Sequence, residues 1–225
     1  MSNASRSVES TPNFISPSLP PNFMAENPPA DAKIKLGLMA SGSGSNVEVI
    51  AEAIAIGKLN AEISVLIYNN PGAKVVERAE RYGIPAILLN HRDYKRRQDL
   101  DAKIVETLRE YDVELVVMAG WMRIVTEVLF NAYSDRVINL HPSLLPSFRG
   151  AHAVEDALKA GVKITGCTVH IARLEVDNGP ILIQAAVPIL PDDTPDTLHA
   201  RIQVQEHQIF PQAIAIAAAK IGQKS

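Results

Sequence analysis

The stretch 34-IKLGLMASGSGSNVEVIAEAIAIG-57 sets the architecture. It opens as a near-continuous apolar run of strand length and passes through six small or polar residues. It then continues as a segment whose Val47, Ile50, Ala51 and Ile54 recur at helical spacing. A strand that is apolar on both sides is buried on both faces, the condition of a parallel strand covered by helices. Strand, loop and helix together therefore read as the first unit of an α/β sheet.

Outward from that unit the pattern repeats. AEISVLIY reads as a second strand and AKVVERAERYG as a second helix. PAILLN is a short strand before a charged helix from about Arg96 to Tyr111, which carries Leu100, Ile104 and Leu108 on one side. VELVVMAG and RVINL are again nearly continuous apolar strands. After a helix near 151–160, ITGCTVHIA and GPILIQAAVPI flank a short loop, as two antiparallel strands at a sheet edge would. The last helix starts with Thr194 as N-cap and Pro195 at its first position, and Pro211 inside it is expected to bend it. The expected fold is α/β and Rossmann-like: a mostly parallel twisted sheet flanked by helices, with an antiparallel edge. No repeat or linker interrupts residues 33–225, which are expected to form a single domain. Residues 1–32 are crowded with Ser, Asn and Pro without sustained period and are expected to be a disordered tail. Their serines also suit a transit peptide, against which stand a single Arg and several acids.

Composition narrows the function. With 225 residues, 47% of them hydrophobic, the chain has ample material for a core. A formal net charge of -3 gives no bulk attraction to nucleic acid or to an anionic membrane. The lone Cys167 can form neither an internal disulfide nor a structural zinc site, which fits the cytoplasm. No apolar run reaches the roughly 20 residues that span a bilayer. The expected partners are small molecules rather than nucleic acid or membrane.

In a doubly wound sheet, ligands sit beyond the carboxyl ends of the strands. The loop 41-SGSGSN-46 lets backbone N–H groups approach an anion, and the following helix N-terminus adds positive potential. A dinucleotide fingerprint requires glycine where Val47 stands and an acid where Asn69 and Asn70 stand; a P-loop requires Gly-Lys-Ser/Thr. A monophosphate on a small substrate fits better than either, beside the plainer reading of a capped tight turn. In 136-RVINLHPSLLPSFRG-150, Asn139 and His141 are two apart on a strand and project together, with Pro142 keeping His141 extended. An amide donor next to an imidazole suits a carbonyl oxygen that gains charge, with the imidazole able to supply a proton. The loop 173-RLEVDNGP-180 offers Glu175 and Asp177, although Asp-Asn-Gly is also ordinary turn chemistry. A carboxylate there would pair with His141. Trp121 and Met122 in 119-AGWMRIV-125 form either a wall for a flat ring or part of the core.

Taken together, GSGSN, AGWMRI, INLHPSLLPSF, TGCTVH, VDNGP and VQEHQIFP resemble the phosphoribosylglycinamide formyltransferase family, from about Lys33 to Gly222. The resemblance implies a folate-dependent enzyme of purine biosynthesis. Its co-substrate would be 10-formyltetrahydrofolate, its acceptor 5-phosphoribosylglycinamide, with no metal. It also implies roles for particular residues. His141 would be the proton donor, Asn139 would bind the formyl oxygen, and Asp177 would favour the charged histidine and order a water that relays the proton. Gly44, Ser45 and Asn46 would hold the substrate phosphate, and Gln203 and Glu206 its ribose phosphate portion. Met122, Arg123, Ile124 and Val125 would hold the pterin along the backbone, with Arg97 and Arg123 meeting the anionic glutamate tail. Asn178 stands where the family often has a second glycine, which would stiffen that loop. A monomer or a homodimer is expected. Rival folate enzymes require a further tRNA-binding or regulatory domain, for which the chain is read as having no room. A non-catalytic phosphate-binding module would have lost Asn139, His141 or Asp177, and all three are present.

Overall fold

A computed structural model describes residues 14–26 and 33–222. The strands are β1 (Ile15–Ser16), β2 (Ile34–Ala40), β3 (Ala61–Tyr68), β4 (Ala86–Leu88), β5 (Leu115–Met118), β6 (Val137–His141), β7 (Ile164–Ile171) and β8 (Ile181–Pro188). The helices are α1 (Phe23–Glu26), α2 (Ser45–Ala55), α3 (Val75–Arg81), α4 (Arg97–Glu110), α5 (Glu127–Ala132), α6 (Ala153–Ala160) and α7 (Pro195–Gly222). All the strands join one sheet in the order β1-β8-β7-β6-β5-β2-β3-β4. Pairing is parallel from β4 through β6 and antiparallel from β6 through β1, so the expected antiparallel edge is present.

The alternation of strand side chains builds two cores. Leu36 and Leu38 of β2 and Leu115 and Val117 of β5 face one side, where they pack with Val47 and Ile50 of α2 and Ile209, Phe210 and Ile214 of α7. Met39, Val116 and Met118, on the alternate positions, meet Leu100, Ile104 and Leu108 of α4 and Leu129 of α5. Each fully buried Leu or Ile contributes about 1.5–3 kcal/mol, which makes burial of both faces the force that fixes strand register. The terminal helix runs on through Pro211, which is buried. Thr197 N–H donates to Thr194 Oγ1 at 3.2 Å, the expected N-cap. No helix among the described residues is long and apolar enough to cross a membrane.

Part of the expected disordered tail is ordered. Within residues 14–26, Ile15 and Ser16 pair with Ala185 and Gln184 on the outer edge of β8, and Ala186 N–H donates to Phe14 O at 2.9 Å. Phe23 and Met24 pack against the first core, and Asn60 N–H donates to Met24 O at 3.1 Å. Composition alone could not reveal this. The segment has too few apolar residues to order itself, but the unpaired backbone of β8 is a template for any extended chain. The rest of the expected tail, residues 1–13 and 27–32, lies outside the described residues. The short α5 also escaped the sequence, because six residues are too few to show a helical period.

Candidate functional site

The strand order reverses at β2, whose neighbours are β3 and β5, and the loops after β2 and β5 diverge there. One strand further on, β6 ends at His141. Antiparallel register sets Asn139 opposite His170 and His141 opposite Thr168. Two polar pairs, each spaced two apart, therefore face one another in an otherwise apolar part of the sheet.

The β7–β8 loop brings Asp177 onto this group, with φ at 52° in the left-handed region. Asp177 Oδ2 lies 3.3 Å from His141 Nδ1 and accepts from Gly150 N–H at 2.9 Å. Its Oδ1 lies 3.7 Å from His170 Nε2 and 3.5 Å from Asn139 Nδ2. The turn that allows this requires Gly179, where a Cβ would stand 1.6 Å from the Ile171 carbonyl oxygen. Gly179→Ala is expected to lower unfolding free energy by about 1–3 kcal/mol in denaturant titration. Gly42→Ala, whose added carbon meets nothing within 4 Å, should change it by less than about 0.5 kcal/mol. Equal effects of the two would remove the close approach as the cause.

Electrostatics follow from this packing. Burial pushes the Asp177 carboxyl up, but the bonds from His170 and Gly150 and the charges of His141 and His170 outweigh it and hold the group below its ordinary value. His141 is only 4% exposed, and its Nε2 lies 2.8 Å from the Phe148 carbonyl oxygen. Both of its ring nitrogens thus face oxygens that can only accept. His170 Nδ1 lies 3.1 Å from the Ile171 carbonyl oxygen, and its Nε2 lies 3.3 Å from Asn139 Nδ2 and 3.7 Å from Asp177 Oδ1.

The Pro-framed loop after β6 is fastened from the edge strands. Thr168 Oγ1 donates to Ser143 O at 2.7 Å and accepts from Leu145 N–H at 3.1 Å. Gln184 Nε2 reaches both Thr168 Oγ1 and Leu145 O. Ser143 Oγ closes the turn onto Ser147 O at 2.6 Å. These buried bonds hold the backbone that carries Phe148 and Gly150 against the His141 group.

At the end of β2, Gly44 takes φ 76°, and a Cβ there would stand 2.4 Å from a Val75 side-chain carbon. Ser45 Oγ accepts from Gln203 Nε2 at 3.0 Å, which joins the loop to α7. Glu206, one helical turn on, is buried. Burial raises its pKa, against the charge of His199 and a hydrogen bond from Asn46. The Asn46 Oδ1 atom is buried without a partner. Gly44, Ser45, Asn46, Gln203 and Glu206 therefore gather in one place.

The loop after β5 is fixed at both ends. Met122 N–H donates to Ser41 Oγ at 2.9 Å, and the buried Asp101 accepts from the Thr126 backbone and hydroxyl at 2.5 and 2.7 Å. Trp121 and Val125 are buried, whereas Met122 and Ile124 stand 78% and 56% exposed. Trp121 is thus core rather than an open wall, and the exposed apolar surface belongs to its neighbours. Arg97 and Arg123 are exposed. The Asp101–Thr126 clamp holds the start of α4, with Arg97, against the loop carrying Arg123. Among the described residues no cluster of His, Cys, Asp and Glu is arranged to hold a metal.

Sequence reasoning missed His170, Thr168 and Gln184. The signal for the first two was present, since polar residues alternate with Val169 and Ile171 in a strand, as Asn139 and His141 do in theirs. Only the register shows that the two pairs meet.

Comparison with known proteins accords with this geometry. The formyl transferase family model matches residues 34–214. The chain is 39% identical over 186 residues to the human trifunctional purine biosynthetic protein adenosine-3, a match covering 83% of the chain but 18% of that protein. It is 41% identical over 180 residues to the phosphoribosylglycinamide formyltransferase of Bacillus subtilis, covering 80% of the chain and 92% of the relative. The chain thus spans under a fifth of the trifunctional relatives and most of the bacterial one. Glycinamide ribonucleotide transformylase 1 from Symbiobacterium toebii superposes with a TM-score of 0.81 at 42% identity, over 83% of this chain and 88% of that one.

Proposed function

Because the chain belongs to the formyl transferase family, we propose that it transfers the formyl group of 10-formyltetrahydrofolate to the amine of 5-phosphoribosylglycinamide. The products are 5-phosphoribosyl-N-formylglycinamide and tetrahydrofolate, in de novo purine biosynthesis. The observation that carries the reading is the convergence of Asn139, His141 and Asp177 one strand beyond the reversal point of the sheet. The Gly44–Asn46 loop lies two strands away, at about 10 Å, which suits the reach of a ribose phosphate with a glycinamide arm.

The residues fit both small molecules. The unpartnered Asn46 Oδ1 requires a donor, which a hydroxyl of the substrate can give. Gly44, Ser45 and Gln203 take the phosphate end, and Glu206 stands behind Asn46. The exposed apolar Met122 and Ile124 offer a face to a pterin, with the backbone through Val125 beside it, and Arg97 and Arg123 offer charge to a carboxylate tail. The folate supplies the formyl carbon as an electrophile.

The chain's own groups then act as follows. Asn139 Nδ2 donates to the formyl oxygen, exchanging its 3.5 Å contact to Asp177, which is at the limit of a hydrogen bond. His141 keeps Nδ1–H on the Asp177 carboxylate. Its Nε2–H rests on the neutral Phe148 carbonyl, a weaker hold, and is the proton passed to the developing charge. Asp177 stays ionised while His141 gives up and regains that proton. The working form is a monomer or a homodimer in the cytoplasm.

The test is direct. Purified protein with both substrates should yield the formylated ribotide by mass and release tetrahydrofolate. The ribonucleoside without its phosphate should bind at least about a hundredfold more weakly, since charged hydrogen bonds are lost. NAD should not compete. Tight NAD binding, or equal affinity for the ribonucleoside, would overturn the reading.

A further inference from the structure

The substrate-phosphate loop is held from one side by α3. Val75 N–H donates to Gly42 O at 3.2 Å, and Arg78 Nε donates to Ser43 O at 2.8 Å. Val75 and Arg78 are three apart and share a helix face. In a trans peptide the carbonyl of one residue and the N–H of the next point in opposite directions. Anchoring the carbonyls of residues 42 and 43 on α3 therefore turns the N–H groups of Ser43 and Gly44 away from it. Two successive N–H groups turned the same way form an anion cradle. Arg78 is itself steadied by an ion pair from its Nη1 to Glu48, in the first turn of α2. Arg81 also pairs with Glu48, at 2.5 Å, yet contributes no bond to the loop. The Arg78 side chain is 26% exposed against 60% for Arg81, which fits an inward-facing anchor beside a surface partner.

We propose that Arg78 is a positioning residue of the phosphate site, which orients the 43–44 peptide toward the anion without touching it. This rests on the reading above that Gly44, Ser45 and Asn46 receive the substrate phosphate. Fixing the peptide in advance spares the loop the entropy of ordering on binding. The effect therefore falls on capture of the phosphate and not on the formyl transfer step.

Steady-state kinetics on Arg78→Gln, Arg78→Lys and Arg81→Gln test this, with inorganic phosphate binding to each followed by calorimetry. In Arg78→Gln, KM for the ribotide should rise about tenfold, the value of one hydrogen bond to a charged group. The kcat and the KM for formyl folate should stay within about twofold, and phosphate affinity should fall in parallel with the KM change. Arg78→Lys, which keeps a cationic donor, should recover part of the loss, and Arg81→Gln should match wild type. An unchanged ribotide KM in Arg78→Gln, or an equal fall in kcat and both substrate affinities, would overturn the proposal. If Arg78→Gln does not fold, Arg78→Lys decides: a ribotide KM identical to wild type sinks the idea. If the wild-type protein transfers no formyl group, the functional reading fails separately. The phosphate titrations of wild type and Arg78→Gln still decide the role of Arg78.

Discussion

Replacing Asn139 with alanine is expected to lower turnover by about 10² to 10³, close to 3 kcal/mol of lost stabilisation, while leaving the protein folded. The amide is partly buried at the end of β6 and contacts His170 Nε2 and Asp177 Oδ1. Removing it deletes the donor to the formyl oxygen and opens no cavity in either hydrophobic core, to which Asn139 does not contribute. KM for the ribotide should change little, because the phosphate loop lies two strands away. Steady-state kinetics with a parallel thermal melt make the measurement. Wild-type kcat in Asn139→Ala would remove the amide from the reaction.

The second large effect belongs to Asp177→Asn, which keeps the shape and removes the charge. One carboxylate serves His141, His170, Asn139 and the Gly150 N–H. An amide in its place offers only one accepting oxygen and turns an NH2 group toward a donor, so at least one partner is left unsatisfied. Without the carboxylate the proton-bearing imidazole also loses its counter-charge. Turnover should fall by about 10² or more. Glu175→Gln, on the same loop but exposed and paired only with Arg149 and Asn178, should stay within about twofold. Equal activities in the two variants would leave the loop as a plain turn.

Stability should carry a pH signature with a defined sign. The folded Asp177 carboxyl is held below its ordinary value. Its stabilisation is therefore complete above the unfolded value near 3.9 and is lost as pH falls through the depressed one. The difference in unfolding free energy between wild type and Asp177→Asn should be largest at neutral pH and close at the acid end. A difference that grows on acidification would contradict the assigned direction.

Much of the fold was legible because burial on both sheet faces leaves a mark in one dimension. The apolar runs that became β2, β5 and β6 are nearly continuous, and the intervening helices repeat at helical spacing, so parallel order and the antiparallel edge could be read directly. So could the adjacency of Asn139 and His141, which depends only on strand alternation. Ser41–Asn46 was legible as a tight loop for the same local reason.

What lay beyond the sequence depends on register and on surfaces that exist only after folding. His170 faces Asn139 because β7 pairs with β6 at one of several possible offsets. Asp177 reaches both histidines because a left-handed turn and the absence of a side chain on Gly179 let the loop fold back over Ile171. Arg78 acts on a carbonyl 35 positions earlier, and backbone direction leaves no trace in residue type. Residues 14–26 are ordered by the open edge of β8 and by the first core, against which Phe23 and Met24 pack, neither of which they encode. The sequence by itself determined which strands are buried and which chemical groups stand at their ends. Tertiary structure alone decided which of those groups share a carboxylate, because contact across strands is set by relative offset, a quantity absent from any single segment.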